Sequence, residues 1–517
     1  MRNYAIELKQ VSKHFGEVVA NDHIDLNVQK GEILAVLGEN GSGKTTLMNM
    51  IAGIYYPDSG SIYMDGNEVT IRSPKDSFTL GIGMIHQHFK LINILTAAEN
   101  IILGLPGKSR LKMNEVEKEV KALTLKYGFD LNPSQKIYDM SVSEKQTVEI
   151  VKVLYRGANL LILDEPTAVL TPQETRRLFD VLRNMKKDGK SIIIITHKLN
   201  EVLEISDRVT VLRKGKCIGT VDTKKASIES LTEMMMGEKI QLNIKRTKSK
   251  GKEKRIIMKD VSCVNKEGIT VLNQASFTAY SGEILGIAGV SGSGQKEMLE
   301  SIAGLVQIQQ GEILYYPPAE KEGEKETVKE LSKMNAEEIT KLGISLAFVP
   351  EDRLGMGLVG SMDLAENMMI RSYREGKGFF TDRKKPRELA RKVVKQLEVA
   401  TPGIEIPVSR LSGGNVQKVL VGREIASTPS VLMVAYPVRG LDIHASYAIY
   451  NLLSSQKKQG VAVICVGEDL DVLLALCDRI LVLNSGTVTG IVDARKTTKE
   501  EIGLLMSGSR RERAINA

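Results

Sequence analysis

Two stretches of the chain, 251 residues apart, have nearly the same sequence. Gly31–Thr45 reads GEILAVLGENGSGKT, and Gly282–Lys296 reads GEILGIAGVSGSGQK. A second pair, Asp207–Gly215 (DRVTVLRKG) and Asp478–Gly486 (DRILVLNSG), is separated by 271 residues. Self-similarity of this kind indicates an internal duplication. The sequence therefore predicts two copies of one domain, with the 20 extra residues of the second copy in a charged loop over Pro317–Lys333.

The duplication divides the 517 residues into four segments. We predict a first domain over residues 1–243, a linker over 244–255, a second domain over 256–508 and a tail over 509–517. Much of the formal charge of +8 lies in Lys245–Arg255 (KRTKSKGKEKR) and Arg510–Arg513 (RRER). Basic blocks are usually solvated linkers and tails, although an attraction to anionic lipid head groups stays open.

The composition is that of a globular protein, with 42% apolar and 26% charged residues. The N-terminus has no apolar segment typical of a signal peptide, so secretion is not expected. The strongest apolar runs, such as Ser191–Ile195 and Val431–Ala435, are far shorter than the roughly 20 residues of a membrane-spanning helix. The four cysteines have no metal or redox spacing, which indicates reduced thiols. We therefore expect a cytosolic protein.

Hydrophobic patterning indicates an α/β fold. Ala35–Gly38, Leu160–Asp164 and Ile192–Thr196 are apolar on consecutive positions, as buried parallel strands are. Glu115–Lys126 and Gln173–Lys187 have helical periodicity with charged outer faces. Strands that alternate with helices in this way predict a mostly parallel sheet in each copy.

The first copy contains a phosphate-binding pattern. Gly38–Thr45 (GENGSGKT) fits G-x-x-x-x-G-K-[ST] and lies between a predicted strand and a helix that begins at Thr46. Glycines in such a loop let backbone N–H groups close around phosphates, while the lysine reaches the β- and γ-phosphates and the hydroxyl binds Mg²⁺. The predicted ATP-binding residues of this segment are Gly38, Glu39, Asn40, Gly41, Ser42, Gly43, Lys44, Thr45 and Thr46.

A strand ending in two acids follows in Leu160–Glu165 (LLILDE). At the end of a strand, Asp164 is suited to hold Mg²⁺, and Glu165 is suited to polarise the attacking water. A strand that ends in Asp-Glu means little by itself. Its occurrence together with the phosphate loop indicates nucleotide hydrolysis.

The order of these motifs resembles the nucleotide-binding domain of the ABC ATPases. It runs from the phosphate loop through Gln87, Met140–Gln146 (MSVSEKQ) and LLILDEP to His197. The resemblance implies two tandem P-loop NTPase domains, each with a mostly parallel core sheet, an antiparallel β subdomain and a helical subdomain that carries the signature. It further implies that Gln87 binds Mg²⁺ and contacts a transporter, that His197 contacts the γ-phosphate and that Phe15 stacks on adenine. His86 and His88 superficially suggest a metal-binding pair, but ordinary loop positions are the preferred interpretation.

The second copy has lost the catalytic residue types. Reading the same positions at their offsets gives Gln295 for Lys44, Lys296 for Thr45, Ala435 for Asp164, Tyr436 for Glu165 and Glu468 for His197. Phe15 falls near Asn265, and Gln87 falls near Glu351. Since no lysine, metal-binding acid or general base remains, we expect no hydrolysis there.

The signature shows the opposite asymmetry. The second copy keeps Leu411–Asn415 (LSGGN) and Asp442, whereas the first has Ser141-Val142-Ser143 and Thr171. In the family two domains pack head to tail, and each ATP lies between one phosphate loop and the other signature. The resemblance thus implies one competent site, in which the first copy's residues face Ser412, Gly413, Gly414, Asn415 and Asp442. It also implies one degenerate site, formed by Gly289, Gly292, Gly294 and Gln295 with Ser141 and Ser143.

Fused ATPases with one eroded half resemble the energising subunits of importers for simple sugars and nucleosides. Pro350–Arg353 (PEDR) and Leu411–Lys418 (LSGGNVQK) are typical of that group, and Val148–Glu174 is most similar to its nucleoside-type members. The resemblance implies two integral-membrane permease subunits as partners, which would dock on Phe89–Asn100, and indirectly an extracytoplasmic solute-binding protein. The expected location is peripheral, on the cytoplasmic face of the cell membrane, with no nucleic-acid partner.

Two other classes of twin ATPase are less favoured. A soluble ATPase acting on ribosomes would usually keep both pairs of catalytic acids and carry a longer linker. A DNA-repair or chromosome-type ATPase would need zinc-binding cysteine pairs or a long coiled-coil insertion, and the sequence has neither.

Overall fold

The computed structural model describes most of the chain. The described residues are 4–86, 89–105, 112–168, 170–237, 244, 253–265, 268–290, 292–318, 327–348, 357–370, 372–373, 382–425, 429–438, 441, 443–467 and 469–508. They form two compact units, Met1–Gln241 and Leu242–Ala517.

The strands and helices of the two units correspond in order. In the first unit the strands are β1 (Tyr4–Phe15), β2 (Val18–Gln29), β3 (Ile33–Leu37), β4 (Ser59–Met64), β5 (Asn67–Val69), β6 (Ile82–Ile85), β7 (Leu160–Asp164), β8 (Ser191–Ile195), β9 (Arg208–Arg213) and β10 (Lys216–Asp222). Its helices are α1 (Lys44–Ile51), α2 (Pro74–Thr79), α3 (Ala97–Ile102), α4 (Met113–Tyr127), α5 (Val142–Tyr155), α6 (Pro172–Lys187), α7 (Leu199–Ile205) and α8 (Ile228–Met236).

The second unit repeats this succession. Its strands are β11 (Lys254–Val264), β12 (Thr270–Tyr280), β13 (Ile284–Gly289), β14 (Gln310–Tyr315), β15 (Lys329–Glu330), β16 (Ile344–Phe348), β17 (Val431–Ala435), β18 (Ala462–Val466), β19 (Arg479–Asn484) and β20 (Thr487–Asp493). Its helices are α9 (Gln295–Ile302), α10 (Ala336–Lys341), α11 (Leu364–Met369), α12 (Lys384–Gln396), α13 (Gly413–Ile425), α14 (Ile443–Lys458), α15 (Leu470–Leu476) and α16 (Lys499–Met506).

Two sheets build each unit. In the first unit an antiparallel sheet has the order β2-β1-β4-β5, and a larger sheet has the order β10-β9-β3-β8-β7-β6. In the larger sheet only β10 pairs antiparallel. The second unit has the same two orders, β12-β11-β14-β15 and β16-β17-β18-β13-β19-β20. The predicted fold class is therefore confirmed.

The larger sheet places the functional segments at one edge. Every residue of β3 (ILAVL) and β8 (SIIII) is buried, which fits strands covered on both faces. Because β3, β7 and β8 run parallel, their carboxyl ends meet at the same edge of the sheet. Open α/β sheets bind ligands at that edge.

The helices between β6 and β7 form a subdomain of their own. Residues of α3, α4 and α5, together with the chain before α5, share one apolar cluster that includes Ala97, Ile101, Val120, Ile137 and Val148. The equivalent helices α11, α12 and α13 contribute Leu364, Ala390, Val393, Val416 and Val419 to the largest apolar cluster of the second unit. Helix α5 begins at the predicted signature, so this subdomain carries it.

Three predicted boundaries differ from the observed ones. Helix α1 begins at Lys44 rather than Thr46, because Gly43 adopts the left-handed conformation (φ 95°) that ends the loop. The predicted charged loop Pro317–Lys333 contains β15, which pairs with β14, and Leu331 beside it is buried. Strand β11 begins at Lys254, and the buried Arg255 pairs with Glu253 at 2.6 Å, so this end of the predicted linker belongs to the second unit. Residues 245–252 and 509–517 lie outside the described part of the chain.

A glycine in β6 provides a test of how the helical subdomain packs on the sheet. A Cβ on Gly83 would overlap Cγ1 of Val153 in α5. We expect Gly83→Ala to destabilise the protein by about 1–3 kcal/mol, the usual effect of overpacking. Urea unfolding measures the change. Gly219→Ala in β10 is the matched control, because its Cβ would meet only Met234 Cε, at 3.5 Å. Equal effects of the two substitutions would contradict this packing.

Candidate functional site

The loop between β3 and α1 is closed tightly against its surroundings. A Cβ on Gly43 would overlap the carbonyl oxygen of Ala20 in β2, and one on Gly38 would overlap both Leu212 O and the Ser42 side chain. Asn21 Nδ2 adds a hydrogen bond of 3.2 Å to Gly43 O. Glycine is therefore required at both positions by close approach, and at Gly43 also by its φ of 95°.

Lys44 points back into this loop. Its ammonium donates hydrogen bonds to Gly38 O at 2.8 Å and Glu39 O at 2.9 Å. Burial lowers the pKa of this ammonium, and the charges of Glu165, Asp164 and Glu39 act in the opposite direction. The loop therefore holds a buried cation in front of the N-terminus of α1, where an anion binds well.

One polar atom of the loop lacks a protein partner. Ser42 Oγ is buried and has no hydrogen-bond partner among the described residues. Thr45, one turn further, exposes its side chain at the start of α1. An unsatisfied hydroxyl, two closely packed glycines and a lysine fit a bound polyphosphate, because its oxygens accept hydrogen bonds from all of these groups.

The two acids at the end of β7, Asp164 and Glu165, lie close enough to this loop for their charges to act on Lys44. Glu165 has a left-handed φ of 49°, and its N–H donates to Ile195 O of β8 at 2.9 Å. The residue two positions beyond β8, His197, places Nδ1 2.8 Å from Glu165 Oε1. Parallel pairing of β7 with β8 thus joins two predicted site residues that are 32 residues apart in sequence.

Burial and the neighbouring charges shift the pKa values of the two acids in opposite directions. Burial raises the pKa of Asp164 to about 6; the Glu165 charge adds to the rise and Lys44 opposes it. Burial also pushes the pKa of Glu165 upward, but the hydrogen bond from His197 and the charges of His197, Lys44 and Lys198 outweigh it, so this pKa lies below its ordinary value. The same hydrogen bond raises the pKa of His197 against the effect of burial. Glu165 is therefore ionised at neutral pH, as a general base must be.

A model of the ABC transporter family matches residues 21–168 and 272–437, more than half of the chain. The chain belongs to the ABC transporter family. It is an ATPase of that family, and both copies of the domain are covered by the match.

Relatives match the chain over nearly its full length. The nucleoside import ATP-binding protein NupA of Lactococcus lactis subsp. cremoris (strain MG1363) is 39% identical, covering 97% of this chain and 98% of the relative. The guanosine import ATP-binding protein NupO of Bacillus subtilis (strain 168) is 39% identical, covering 99% of each. The glucose import ATP-binding protein TsgD13 of Haloferax volcanii is also 39% identical, covering 97% and 96% respectively.

The second ABC domain keeps the backbone of the site without its chemistry. Gly292 and Gly294 have φ of 85° and 98°, close to the 81° and 95° of Gly41 and Gly43. Gln295 Nε2 donates to Val290 O at 3.0 Å, the contact that Lys44 makes to Glu39 O in the first domain. At the end of β17, Tyr436 repeats the left-handed φ of Glu165 (54°), and its N–H donates to Val466 O at 3.0 Å.

The N-termini of the two predicted signature helices carry different side chains. In the first domain Ser141 Oγ accepts from the Glu144 N–H at 3.3 Å, and the Glu144 carboxylate accepts from the Ser141 N–H at 2.7 Å. This reciprocal capping box places the negative charge of Glu144 at the N-terminus of α5. In the second domain the equivalent residue is neutral, and Asn415 Nδ2 donates to Ser412 Oγ at 2.9 Å. A phosphate would therefore meet less repulsion at the second signature.

Several predicted residues have other roles or lie outside the described part of the chain. Thr171, where the family prefers Asp, is the N-cap of α6 and accepts from the Glu174 N–H at 3.3 Å. Phe15 ends β1 with 43% of its surface exposed. Five of the residues singled out from the sequence lie outside the described part of the chain: Gln87, His88, Glu351, Asp442 and Glu468.

Sequence reasoning missed a contact that both domains share. Gln146 Nε2 donates to Pro166 O at 2.6 Å, and Gln417 Nε2 donates to Pro437 O at 2.8 Å. Each glutamine is buried. It links a predicted signature helix to the proline that follows Glu165 in the first domain and Tyr436 in the second. The two glutamines are 271 residues apart, so comparison of the repeats could have found them.

The Glu165–His197 pair predicts a measurable titration. In Glu165→Gln the carboxylate that raises the pKa of His197 is absent, so we expect this pKa to fall from its wild-type value. NMR titration of the histidine ring protons measures the shift, and the signals of the other histidines serve as the internal control. An unchanged His197 titration would show that the two side chains are not paired in solution.

Proposed function

We propose that the chain hydrolyses ATP to energise an importer for nucleosides or simple sugars. Three relatives of full length are named as ATP-binding proteins for the import of a nucleoside, guanosine or glucose. The observation that carries the proposal is the asymmetry between the domains. Lys44, Asp164, Glu165 and His197 form one coupled cluster in the first domain, whereas the second domain keeps the same backbone around Gln295 and Tyr436.

In the proposed competent site, residues of the first domain bind and split ATP against the signature of the second. Lys44 and the loop N–H groups hold the phosphates, and Ser412, Gly413, Gly414, Asn415 and Asp442 complete the site from the other domain. The neutral Asn415 supports this choice of signature, because the Glu144 carboxylate would oppose a phosphate at the first one. ATP then holds the two domains together, and hydrolysis releases them, a ligand-driven closure.

Within this site Glu165 is the proposed base. Its carboxylate is ionised and oriented by His197, so it accepts a proton from the attacking water. His197 contacts the γ-phosphate in this proposal, and Phe15 stacks on adenine. Thr45, Asp164 and Gln87 would hold Mg²⁺, since the half-buried carboxylate of Asp164 and the exposed hydroxyl of Thr45 offer the oxygen ligands that this cation prefers. When bound, Mg²⁺ neutralises the charge that develops on the phosphate oxygens.

The second site is proposed to bind nucleotide without splitting it. Gly289, Gly292, Gly294 and Gln295 keep the shape of a phosphate loop. Its counterpart, the segment with Ser141 and Ser143, carries the Glu144 cap that makes closure less favourable. The amide of Gln295 supplies hydrogen bonds but no charge, so this site should bind more weakly than the first.

Permease docking is proposed for the segment over 89–100. Asn100 is fully buried, accepts from the Ile92 N–H at 2.8 Å and donates to Ile92 O at 3.1 Å, which fixes the segment's backbone. On this fixed backbone Ile92 and Ile94 expose 43% and 73% of their surface. A permease helix that packs on these side chains would bury them, which is favourable for apolar surface. In the described part of the chain no helix is long and apolar enough to span a bilayer. The partners in this proposal are two permease subunits, which the chain would contact on the cytoplasmic face of the membrane.

Replacing the proposed base tests the hydrolytic site. We expect Glu165→Gln to lower ATP turnover by about 10²- to 10⁴-fold, the usual contribution of a general base. ATP-dependent closure of the two domains should persist, because the phosphate-binding groups are intact. Released phosphate measures the first effect, and cross-linking of cysteines introduced in the two domains measures the second. Turnover at the wild-type rate would refute the assignment of Glu165.

Uptake by the assembled transporter tests the biological role. Cells that carry the chain with its neighbouring permease and binding-protein genes should take up labelled nucleoside, and the same cells with Glu165→Gln should not. Labelled pentoses measured in parallel distinguish the two solute classes. Turnover stimulated by ribosomes instead of by permeases would favour the soluble twin-ATPase alternative.

Nucleotide titration of Lys44→Ala tests the second site. Loss of the cation should greatly weaken binding at the first site and leave the second loop unchanged, so weak residual binding of one nucleotide is expected. Equilibrium dialysis with labelled ATP measures the stoichiometry. Absence of any residual binding would refute nucleotide binding by the second loop.

A further inference from the structure

Asp58 joins the segment after α1 to the tip of the β1–β2 hairpin. Its Oδ1 accepts from Lys13 Nζ at 2.7 Å, and its Oδ2 accepts from the His14 N–H at 2.6 Å. Its own N–H donates to Ser12 O at 2.9 Å. Three consecutive residues of β1, the ones that precede Phe15, are therefore held by one aspartate.

The side chains around Phe15 restrict its ring further. Lys13 Nζ, held by Asp58, lies 5.7 Å from the centroid of the Phe15 ring. The Tyr55 ring packs edge-on against the Phe15 ring, with centroids 5.2 Å apart and planes at 73°. A cation and an aromatic edge both interact favourably with a phenyl ring. Part of Phe15 remains accessible, since 43% of the residue is exposed.

The hairpin is also fixed relative to the phosphate loop. Asn21 of β2 is fully buried, and its Nδ2 bonds Gly43 O at 3.2 Å. Phe15 of β1 pairs with Val18 of β2, which lies three residues before Asn21. The tip of the hairpin is thus anchored at two places, by Asn21 to the phosphate loop and by Asp58 to the start of β4.

Among its described residues, the second domain keeps only the backbone part of this anchor. The position of Asp58 is occupied by Gln309, which keeps only the backbone hydrogen bond, from its N–H to Ser262 O at 2.8 Å. Before the hairpin tip the offset is 250, so Cys263 stands for Lys13; after it the offset is 251, and Val306 stands for Tyr55. The anchor therefore occurs only in the domain that has an aromatic residue at the hairpin tip.

We propose that Asp58 is a positioning residue for ATP, which orients Phe15 for stacking on the adenine ring. It acts through the Lys13 ammonium and the His14 N–H and does not touch the nucleotide. The inference rests on the proposed adenine contact of Phe15. The effect of Asp58 is confined to recognition of the adenine base. The phosphate-binding groups lie in the loop that Asn21 contacts, at the other anchor of the hairpin.

Substitution of Asp58 should change nucleotide affinity without changing turnover. Asp58→Asn removes the charge that holds Lys13 but keeps an acceptor for the His14 N–H. We expect the Kd and KM for ATP to rise roughly 3- to 10-fold, the effect of losing one charge-assisted hydrogen bond, with kcat within about twofold of wild type. Asp58→Ala, which removes both contacts, should give the larger rise.

A ligand without a base separates positioning from a general loss of structure. Inorganic tripolyphosphate offers the phosphates alone, so its affinity should be the same in wild type and in Asp58→Asn. Asp65→Asn is the matched control, because Asp65 follows β4, pairs with Lys30 at 2.7 Å and lies at the other end of that strand. This control should leave the affinity for ATP unchanged.

A double-mutant cycle with Phe15→Ala completes the test. If Asp58 acts through Phe15, Asp58→Asn should have no further effect on ATP affinity in the Phe15→Ala background. An equal loss for tripolyphosphate, a loss that persists without Phe15, or no loss in Asp58→Asn alone would overturn the inference. If Phe15→Ala itself leaves ATP affinity unchanged, the proposed adenine contact fails, and that outcome is distinct from failure of Asp58 alone.

Discussion

The phosphate loop of the first domain depends on the close approach of Gly43 to β2. A side chain there would collide with the carbonyl oxygen of Ala20, and the positive φ of Gly43 is what lets α1 begin at Lys44. Because that residue is the first of the helix, its ammonium can turn back to the carbonyls of Gly38 and Glu39. Parallel pairing of β7 and β8 then brings Asp164, Glu165 and His197 to the same edge of the sheet. The position of the cluster thus follows from one loop closure and the register of one sheet.

The second domain keeps the backbone conformation of the first domain's site but not its charged side chains. In the second domain Gly292 and Gly294 keep the φ angles of the loop, and Tyr436 keeps the left-handed φ of Glu165. These features are required for the strands and helices to connect at all, whatever the side chains do. Charge was not required for folding, so Gln295 can replace a lysine and keep its hydrogen bond to the loop carbonyl. The fold of the second domain therefore remains intact without the charged side chains of the first.

Part of the site was predictable because its residues form short sequence patterns. The phosphate loop and the two acids at the end of β7 each lie within one segment, so Lys44, Asp164 and Glu165 could be named as candidates from the sequence. The capping boxes at Ser141 and Thr171 are also local, and the spacing to Glu144 and Glu174 could have revealed them. Asp58 gave no such signal, because its contacts to Lys13 and His14 cross more than 40 residues and involve a backbone N–H.

The sequence by itself determined that the chain is a duplicated α/β ATPase, and which copy has the reactive residue types. Those conclusions depend on local patterns and on the repeat, which are properties of the linear chain. Only the tertiary structure decided that His197 pairs with Glu165, that Glu144 caps the first signature and that Asp58 holds the strand bearing Phe15. Protonation states and orientations depend on burial and on neighbours that are distant in sequence, so they exist only once the strands have paired and the helices have packed.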